Sequence, residues 1–565
     1  MTENELFALT LKQLIDRSAE LFADRPALSS MDGGGLTYAE LKESCDALGR
    51  QLTQLGVGFG DSVAILSENS PQWGVAYFAI TAMGAVAVPI LTEFHPDAVA
   101  HIIRHSGAKV VFVSEKLFGK AADAEYDPKP IFLDMDGFGR LDQGLGKDAF
   151  AALKSAGLRS FRKWKEKALR LTHIAPKEPT EDDPAAIVYT SGTSGHSKGV
   201  MLTHKNIMAN ALAVHSIVEL TCNDRLLSIL PLPHTYECTV GLVLPMSIGA
   251  QVFYLDKPPT ARALLPALTQ VRPTVMLVVP LVMEKLYKTN VLPKLTASGL
   301  SRFLYGIPFF RRLINRLAGR KLRETFGGLL RIMAIGGAPL AADAERFLSE
   351  ARFPYCIGYG MTETAPLISG DGPALTRIAS AGRPIPGVSV RIADANPQTG
   401  EGEIQVKGPN VMRGYFKDPE RTAEVFTPDG WLRTGDLGLM SEDRYVYIKG
   451  RSKNMILGPS GENIYPEEIE SFFFDSPYVL EVLVYQHADR LTARVHLDAA
   501  KLDELFAGNS QQDASTKTSE LLESIRAEVN TKVSSFSKVA KVIEQTEPFE
   551  KTPTQKIKRY LYVDS

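Results

Sequence analysis

Residues 185–204 read "AAIVYTSGTSGHSKGVMLTH": an apolar run, a loop of hydroxyls and glycines with one lysine, then a second apolar run. A short apolar run bounded by turn residues reads as a buried strand. The loop therefore leaves a strand end, where α/β folds bind ligands. Glycines such as Gly192 and Gly195 let backbone N–H groups approach an anion closely. Thr190, Ser191, Thr193 and Ser194 add donors, and Lys198 adds a positive charge. These groups suit a polyphosphate. The Walker A spacing GxxxxGK[ST] is not met, because Lys198 follows Ser197 and precedes Gly199. A phosphate loop is expected, but not that of a kinase or ATPase.

Outward from this loop, short β-rich runs alternate with longer helical patterns: "SVAIL" (62–66), "AKVVFVS" (108–114), "AQVFYL" (250–255), "TVMLVV" (274–279) and "LRIMAIGG" (330–337). Such alternation predicts an α/β fold with mainly parallel sheets. From about Val388 the texture turns to strand and turn, "GVSVRIADANPQTGEGEIQVKG", which predicts a β-rich subdomain closing the large region. A compact α+β tail follows. The expected division is a large N-terminal domain, 1–450, and a small C-terminal domain, 451–565, meeting near Gly450 to Lys453. The stretch "GNSQQDASTKTSE" (508–520) reads as a loop.

A chain of 565 residues has room for at least two domains. Its apolar fraction of 44% and charged fraction of 23% are those of a soluble globular protein. The net charge of −2 gives no global attraction to nucleic acid, and none is expected as a partner. Cys45, Cys222, Cys238 and Cys356 stand far apart without metal spacing, which suggests a reducing compartment. The N-terminal stretch reads as an amphipathic helix and not as a signal peptide. The uncharged stretch Trp73 to Thr92 reaches bilayer length, but Gly84 and Pro89 divide it into a buried helix and a buried strand. A cytoplasmic protein is expected.

Six further stretches occur in order after the loop: "LPLPHTYE" (230–237), "GGAPL" (336–340), "GYGMTETAP" (358–366), "WLRTGDLG" (431–438), "GRSKNMILGPSGENIYPEEIE" (450–470) and "KTPTQKIKR" (551–559). With "YTSGTSGHSKG" they resemble the adenylate-forming superfamily of acyl-CoA synthetases, luciferases and peptide-synthetase adenylation domains. The resemblance covers almost the whole chain, and its texture is similar to that of bacterial long-chain fatty acid–CoA ligases. It implies that a carboxylate attacks the α-phosphate of ATP, giving an acyl-AMP and pyrophosphate, after which the thiol of CoA displaces AMP. Such steps need cations and positioned donors more than an acid–base pair.

The same resemblance implies the roles of single residues. Tyr359 lies against adenine and Thr362 near the α-phosphate, within Gly358, Tyr359, Gly360 and Met361. Gly337, Ala338 and Pro339 line the adenine pocket. Glu363, with Thr190 as a second candidate, holds Mg²⁺, a hard cation that prefers one or two protein oxygens. Asp436 accepts bonds from the ribose hydroxyls and Arg451 joins it. Lys556 is the catalytic lysine. Lys453 is the hinge about which the small domain rotates between the two half-reactions. Gly461 lets the pantetheine arm of CoA pass. His234 lies where acyl and thiol tunnels meet and gates them. The chain departs from the commoner pattern at Ser197 and Gln555, where Pro and Gly are usual before Lys198 and Lys556.

Residues from roughly 234 to 241, 277 to 284 and 334 to 366 would line the acyl pocket. They are mostly apolar, which favours a medium- to long-chain fatty acid over an amino acid. Acyl carrier protein is the alternative thiol acceptor, and a non-catalytic acyl-nucleotide binding protein is a further alternative. Two basic stretches, 153–171 and 302–322, interleave Arg and Lys with Leu, Phe and Trp. They read either as solvated helix faces or as places of peripheral contact with an anionic membrane on the inner face.

Overall fold

The structure is a computed structural model that describes residues 10–141, 148–155, 159–168, 177–190, 197–255, 259–457, 463–487, 490–506, 511–552 and 556–563. Two large mixed sheets carry the N-terminal part. One has seven strands in the order Gly414–Tyr415, Lys198–Thr203, Pro184–Thr190, Val86–Pro89, Ser62–Leu66, Val110–Val113 and Ile131–Asp134. The other has nine, with a parallel centre running from Tyr355–Gly360 through Ile332–Gly336, Val275–Val278, Arg225–Ser228 and Gln251–Tyr254 to Pro26–Ser30. The inner parallel strands Ser62–Leu66, Val110–Val113 and Val275–Val278 are buried on both faces, as their unbroken apolar runs require.

Helices lie between and around the sheets. Pro71–Ala82 starts from Ser70, whose hydroxyl accepts from the Trp73 N–H, and has Pro71 in its first turn. It is apolar nearly all round and buried nearly all round, and it feeds directly into Val86–Pro89. The helix–strand reading of residues 73–92 therefore holds. Among the described residues no helix is long and apolar enough to cross a membrane.

The loop expected to bind phosphate joins two antiparallel strands, with Thr190 opposite Lys198 and Tyr189 opposite Gly199. It is thus strand–loop–strand, unlike the strand–loop–helix of a Walker A site. The helix comes one strand later, at His204–Ile217, where Thr203 and Asn206 cap each other reciprocally.

From Ser389 onward a four-stranded antiparallel sheet forms, in the order Ser389–Ala393, Gly402–Lys407, Leu432–Met440 and Val446–Arg451. Beyond it a three-stranded sheet, Val479–His487, Arg490–Leu497 and Lys541–Glu544, packs with Pro466–Phe473 and Gln511–Lys532 around a core of its own, including Phe473, Val484, Ala493 and Val529. The loop expected over 508–520 is corrected here. Residues 511–520 are helical, because Leu522, Ile525 and Val529 pin the following turns to that core and the polar residues continue them.

Candidate active site

The central strands of the nine-stranded sheet end together, with Val278 beside Ile335 and Gly336 beside Gly358. Carboxyl ends of this kind are where open α/β sheets bind ligands. Gly337 has φ +92°, a conformation suited to glycine, and Gly337, Ala338 and Pro339 are exposed where the strand Ile332–Gly336 ends. Gly360 is required by contact: a Cβ there would lie 2.0 Å from the carbonyl oxygen of Pro366.

Residues 361–366 fold back tightly, with the Met361 N–H donating to the Pro366 carbonyl at 3.0 Å. The side-chain amides of Asn210 and Asn410 donate to the carbonyls of both Thr364 and Leu367. This clamp holds the short 3₁₀ turn Thr362–Thr364 and aims Glu363. The buried Glu363 carboxylate accepts from the Tyr415 hydroxyl at 2.9 Å. The ammonium of Lys198 lies 4.8 Å over the Tyr415 ring. Burial pushes the Lys198 pKa down; Glu363 opposes that shift, while the charges of Lys453 and Arg421 add to it. Lys453 itself is exposed.

A second carboxylate, Asp436, lies buried on the strand Leu432–Met440. The Tyr359 hydroxyl donates to it at 2.6 Å, and Arg451, its cross-strand neighbour, reaches it through Nε at 2.8 Å. An ionised carboxylate accepting these two bonds retains lone pairs for two more.

Lys556 comes from the C-terminal segment. As a residue it is open to solvent, yet crowding around its ammonium lowers its pKa; Arg451 lowers it further, while Asp436 and Glu363 act in the opposite sense. Its charge therefore interacts with those of both carboxylates. Its segment is fixed on both sides. The Lys556 N–H donates to the Thr552 hydroxyl at 3.2 Å, and Arg559 grips the buried Glu470 carboxylate through Nη2 at 2.6 and 2.5 Å.

His234 follows the strand Arg225–Ser228, and its Nδ1 accepts from the Tyr236 N–H at 3.2 Å. Burial first, and then the charge of Lys556, pushes its pKa down to about 4, so the ring is neutral near pH 7 with its proton on Nε2. Glu237, three residues on, is fully buried, and desolvation pushes its carboxyl up to about 8 against a hydrogen bond with Ser228.

Glu363, Lys198, Tyr359, Asp436, Arg451, Lys453, Lys556 and His234 are thus linked by bonds or by the charges they impose on one another. Thr190 joins them as the cross-strand neighbour of Lys198. Ser191, Gly192, Thr193, Ser194, Gly195 and Gly461 lie outside the described residues. Sequence reasoning missed Tyr415, which reaches Glu363 only because Gly414–Tyr415 pairs with Val200 and Met201. It also missed the Glu470–Arg559 clamp, whose partners are 89 residues apart in the chain. Nothing in their local sequence marks either.

Hard oxygen donors with a nearby ammonium fit a magnesium ion carried in on phosphates: Glu363 and Thr190 are the residues that would supply oxygens, and Lys198 the one that would balance the anion. Among the described residues no group of three or more His, Cys, Asp or Glu side chains could hold a metal ion alone.

Residues 15–416 match the model of the AMP-binding enzyme family. The chain is 32% identical to long chain acyl-CoA synthetase 6, peroxisomal, of Arabidopsis thaliana, over 80% of this chain and 66% of that protein, so it spans about two thirds of that relative's length. It is 31% identical to long-chain-fatty-acid–CoA ligase FadD15 of Mycobacterium bovis, over 85% of this chain and 80% of that one. Among solved structures, ATP-bound MatB from Rhodopseudomonas palustris is similar over 98% of this chain and 99% of that chain, at 27% identity and a TM-score of 0.73.

Proposed function

The chain belongs to the AMP-binding enzyme family, and from that premise we propose that it is an ATP-dependent ligase joining a medium- to long-chain fatty acid to the thiol of CoA. In the first half-reaction a carboxylate oxygen of the acid bonds to the α-phosphorus of ATP while the bond to pyrophosphate breaks. In the second, the thiol sulfur bonds to the acyl carbon, the thiol proton leaves to solvent, and AMP departs. The observation that carries this reading is the convergence of the C-terminal Lys556 on the cluster of Glu363, Asp436 and Arg451.

Loop 190–198 receives the triphosphate, with Lys198 as its cation. Glu363, with Thr190, would hold Mg²⁺, which when bound would neutralise phosphate charge. Asp436 accepts the ribose hydroxyls while Tyr359 and Arg451 fix its orientation, and adenine rests on the Tyr359 ring beside Gly337. The Lys556 ammonium bridges the attacking carboxylate and the α-phosphate and so offsets their repulsion. Its lowered pKa is that of the free site, and phosphate charge brought next to it raises the pKa again, so it stays protonated when it acts. The neutral His234, whose ring feels the charge of Lys556, gates the acyl and thiol paths by its rotamer. Lys453 is the hinge between parts 1–450 and 451–565, and Gly461 passes the pantetheine arm.

Four free thiols and the absence of any helix suited to crossing the membrane among the described residues are consistent with a cytoplasmic setting. The test is turnover of Mg·ATP with acids from C4 to C18, benzoate and amino acids, reading AMP, pyrophosphate and thioester. CoA and acyl carrier protein serve as separate acceptors. AMP and acyl-CoA with long acids support the reading. Transfer to the carrier protein alone assigns that acceptor, and activity confined to short or amino acids overturns the substrate class.

A further inference from the structure

The helices Gly299–Gly306 and Pro308–Thr325 carry a surface that the chemistry above does not use. The longer helix is anchored on one side only. Arg311 pairs with Glu350, Asn315 donates to the same carboxylate at 2.7 Å, and Leu322 enters the core. A Cβ on Gly319 would lie 2.7 Å from Ala351, so the backbone is pressed against its neighbour there.

At about 100° per residue, Phe309, Leu313 and Leu317 fall on the face opposite that stripe. They are 72%, 50% and 58% exposed, and Phe303 on the preceding helix is 68% exposed. Large apolar side chains clustered this way are unusual on a solvent face.

The charge is equally segregated. Residues 299–325 hold seven Arg and Lys against one acid, in a chain whose net charge is −2. Arg311 is the one basic residue of the segment with an ion-pair partner among the described residues. Arg312, Arg316 and Arg320 form a parallel row beside the apolar one, and Lys321 continues the apolar row by one turn. The other basic stretch differs. Phe161 and Trp164 pack on Phe138, Trp164 donates to Gln51, and Arg159 is neutralised by Glu115, Asp134 and Asp136.

We propose that the exposed face of Pro308–Thr325, with Phe303, docks on the surface of an anionic phospholipid bilayer. The apolar row enters the acyl-chain boundary while the unpaired guanidinium groups meet lipid phosphates. An exposed face that carries an apolar row and a basic row side by side fits a bilayer. A second copy of the same face would oppose like charges. The surface stands independently of the proposed ligase reaction.

The test uses the full chain and flotation with phosphatidylcholine vesicles, with and without about 30% phosphatidylglycerol. Binding is expected only with the anionic lipid and weakens several-fold in about 0.5 M salt. The triple variant Phe309→Ser, Leu313→Ser, Leu317→Ser loses at least tenfold in binding. The variant Arg312→Gln, Arg316→Gln, Arg320→Gln loses both binding and salt dependence. All six side chains point to solvent, and unchanged thermal melting shows that the variants fold. Equal binding to neutral vesicles, no binding, or unaltered binding by the variants overturns the proposal. So does a concentration-dependent dimer in light scattering that the triple Ser variant abolishes.

Discussion

The hydroxyl of Tyr359 donates a 2.6 Å hydrogen bond to the carboxylate of Asp436. One residue lies near the end of a strand of the nine-stranded mixed sheet and the other in the antiparallel sheet that follows it, so this bond ties two sheets together. Arg451 completes the arrangement at 2.8 Å. The carboxylate is thereby aimed before any ligand arrives, which limits the ordering that binding must impose.

Asp436→Asn keeps the shape and removes the charge that strengthens each bond to a ribose hydroxyl. Loss of charge-assisted bonds of about 1.5–3 kcal/mol predicts a KM for ATP raised by about 10- to 100-fold. Steady-state kinetics with ATP and with 2′-deoxy-ATP check the assignment. The substitution should shrink the difference between the two nucleotides, and an unchanged difference contradicts ribose contact.

Lys556→Ala should reduce acyl-AMP formation by about 10²–10⁴ while sparing thiolysis of a supplied acyl-adenylate. Equal losses in the two half-reactions contradict the role. The pKa of the free Lys556 is lowered by crowding and by Arg451. As pH rises through that value the ammonium is lost, so kcat/KM for adenylation should fall at a lower pH than an ordinary lysine would give. The fall in kcat should come later, because bound phosphates stabilise the charge. A pH series read both ways checks the order.

Glu237 is buried, and desolvation pushes its folded pKa up from the ordinary carboxylate range to about 8. The folded state therefore holds a proton that the unfolded state releases. This contribution to stability is full below about pH 4.5 and declines until about pH 8, where it is lost. Glu237→Gln holds the neutral form at every pH. Its melting temperature relative to the parent should be higher at pH 8 than at pH 5, and a constant difference contradicts the shift.

Arg559→Met removes the partner of a buried carboxylate and should destabilise the C-terminal part by about 3–5 kcal/mol. Glu470, already pushed by burial up to about 7, would rise further, since the Arg559 charge is what holds it down. Arg559 also secures the segment bearing Lys556, so adenylation should suffer more than thiolysis. Calorimetry and the separated half-reactions read the two effects, and equal loss in both half-reactions limits Arg559 to stability.

Most of the fold was legible because parallel strands announce themselves as unbroken apolar runs, as "SVAIL" and "TVMLVV" do. The helix over 511–520 was not, since its local residues are polar and its anchors, Leu522, Ile525 and Val529, come later in the chain. Within the candidate site, glycine-rich turns and lone charged residues in ordered motifs could be read from sequence. The support beneath them could not. Tyr415 meets Glu363 through a two-residue strand pairing, and Asn210 and Asn410 clamp the Thr364 carbonyl from distant segments. Such contacts exist only once the sheets are formed. The basic stretches 153–171 and 302–322 look alike in composition, and only packing distinguishes the buried Trp164 from the exposed Phe309.

The central claim is that the acid itself attacks the α-phosphate of ATP before any thiol takes part. The most direct measurement is fatty acid-dependent exchange of labelled pyrophosphate into ATP, with Mg²⁺ present and CoA absent. The account predicts exchange that requires a long-chain acid and is lost in Lys556→Ala. Formation of ADP, or exchange that appears only when CoA is added, would contradict it.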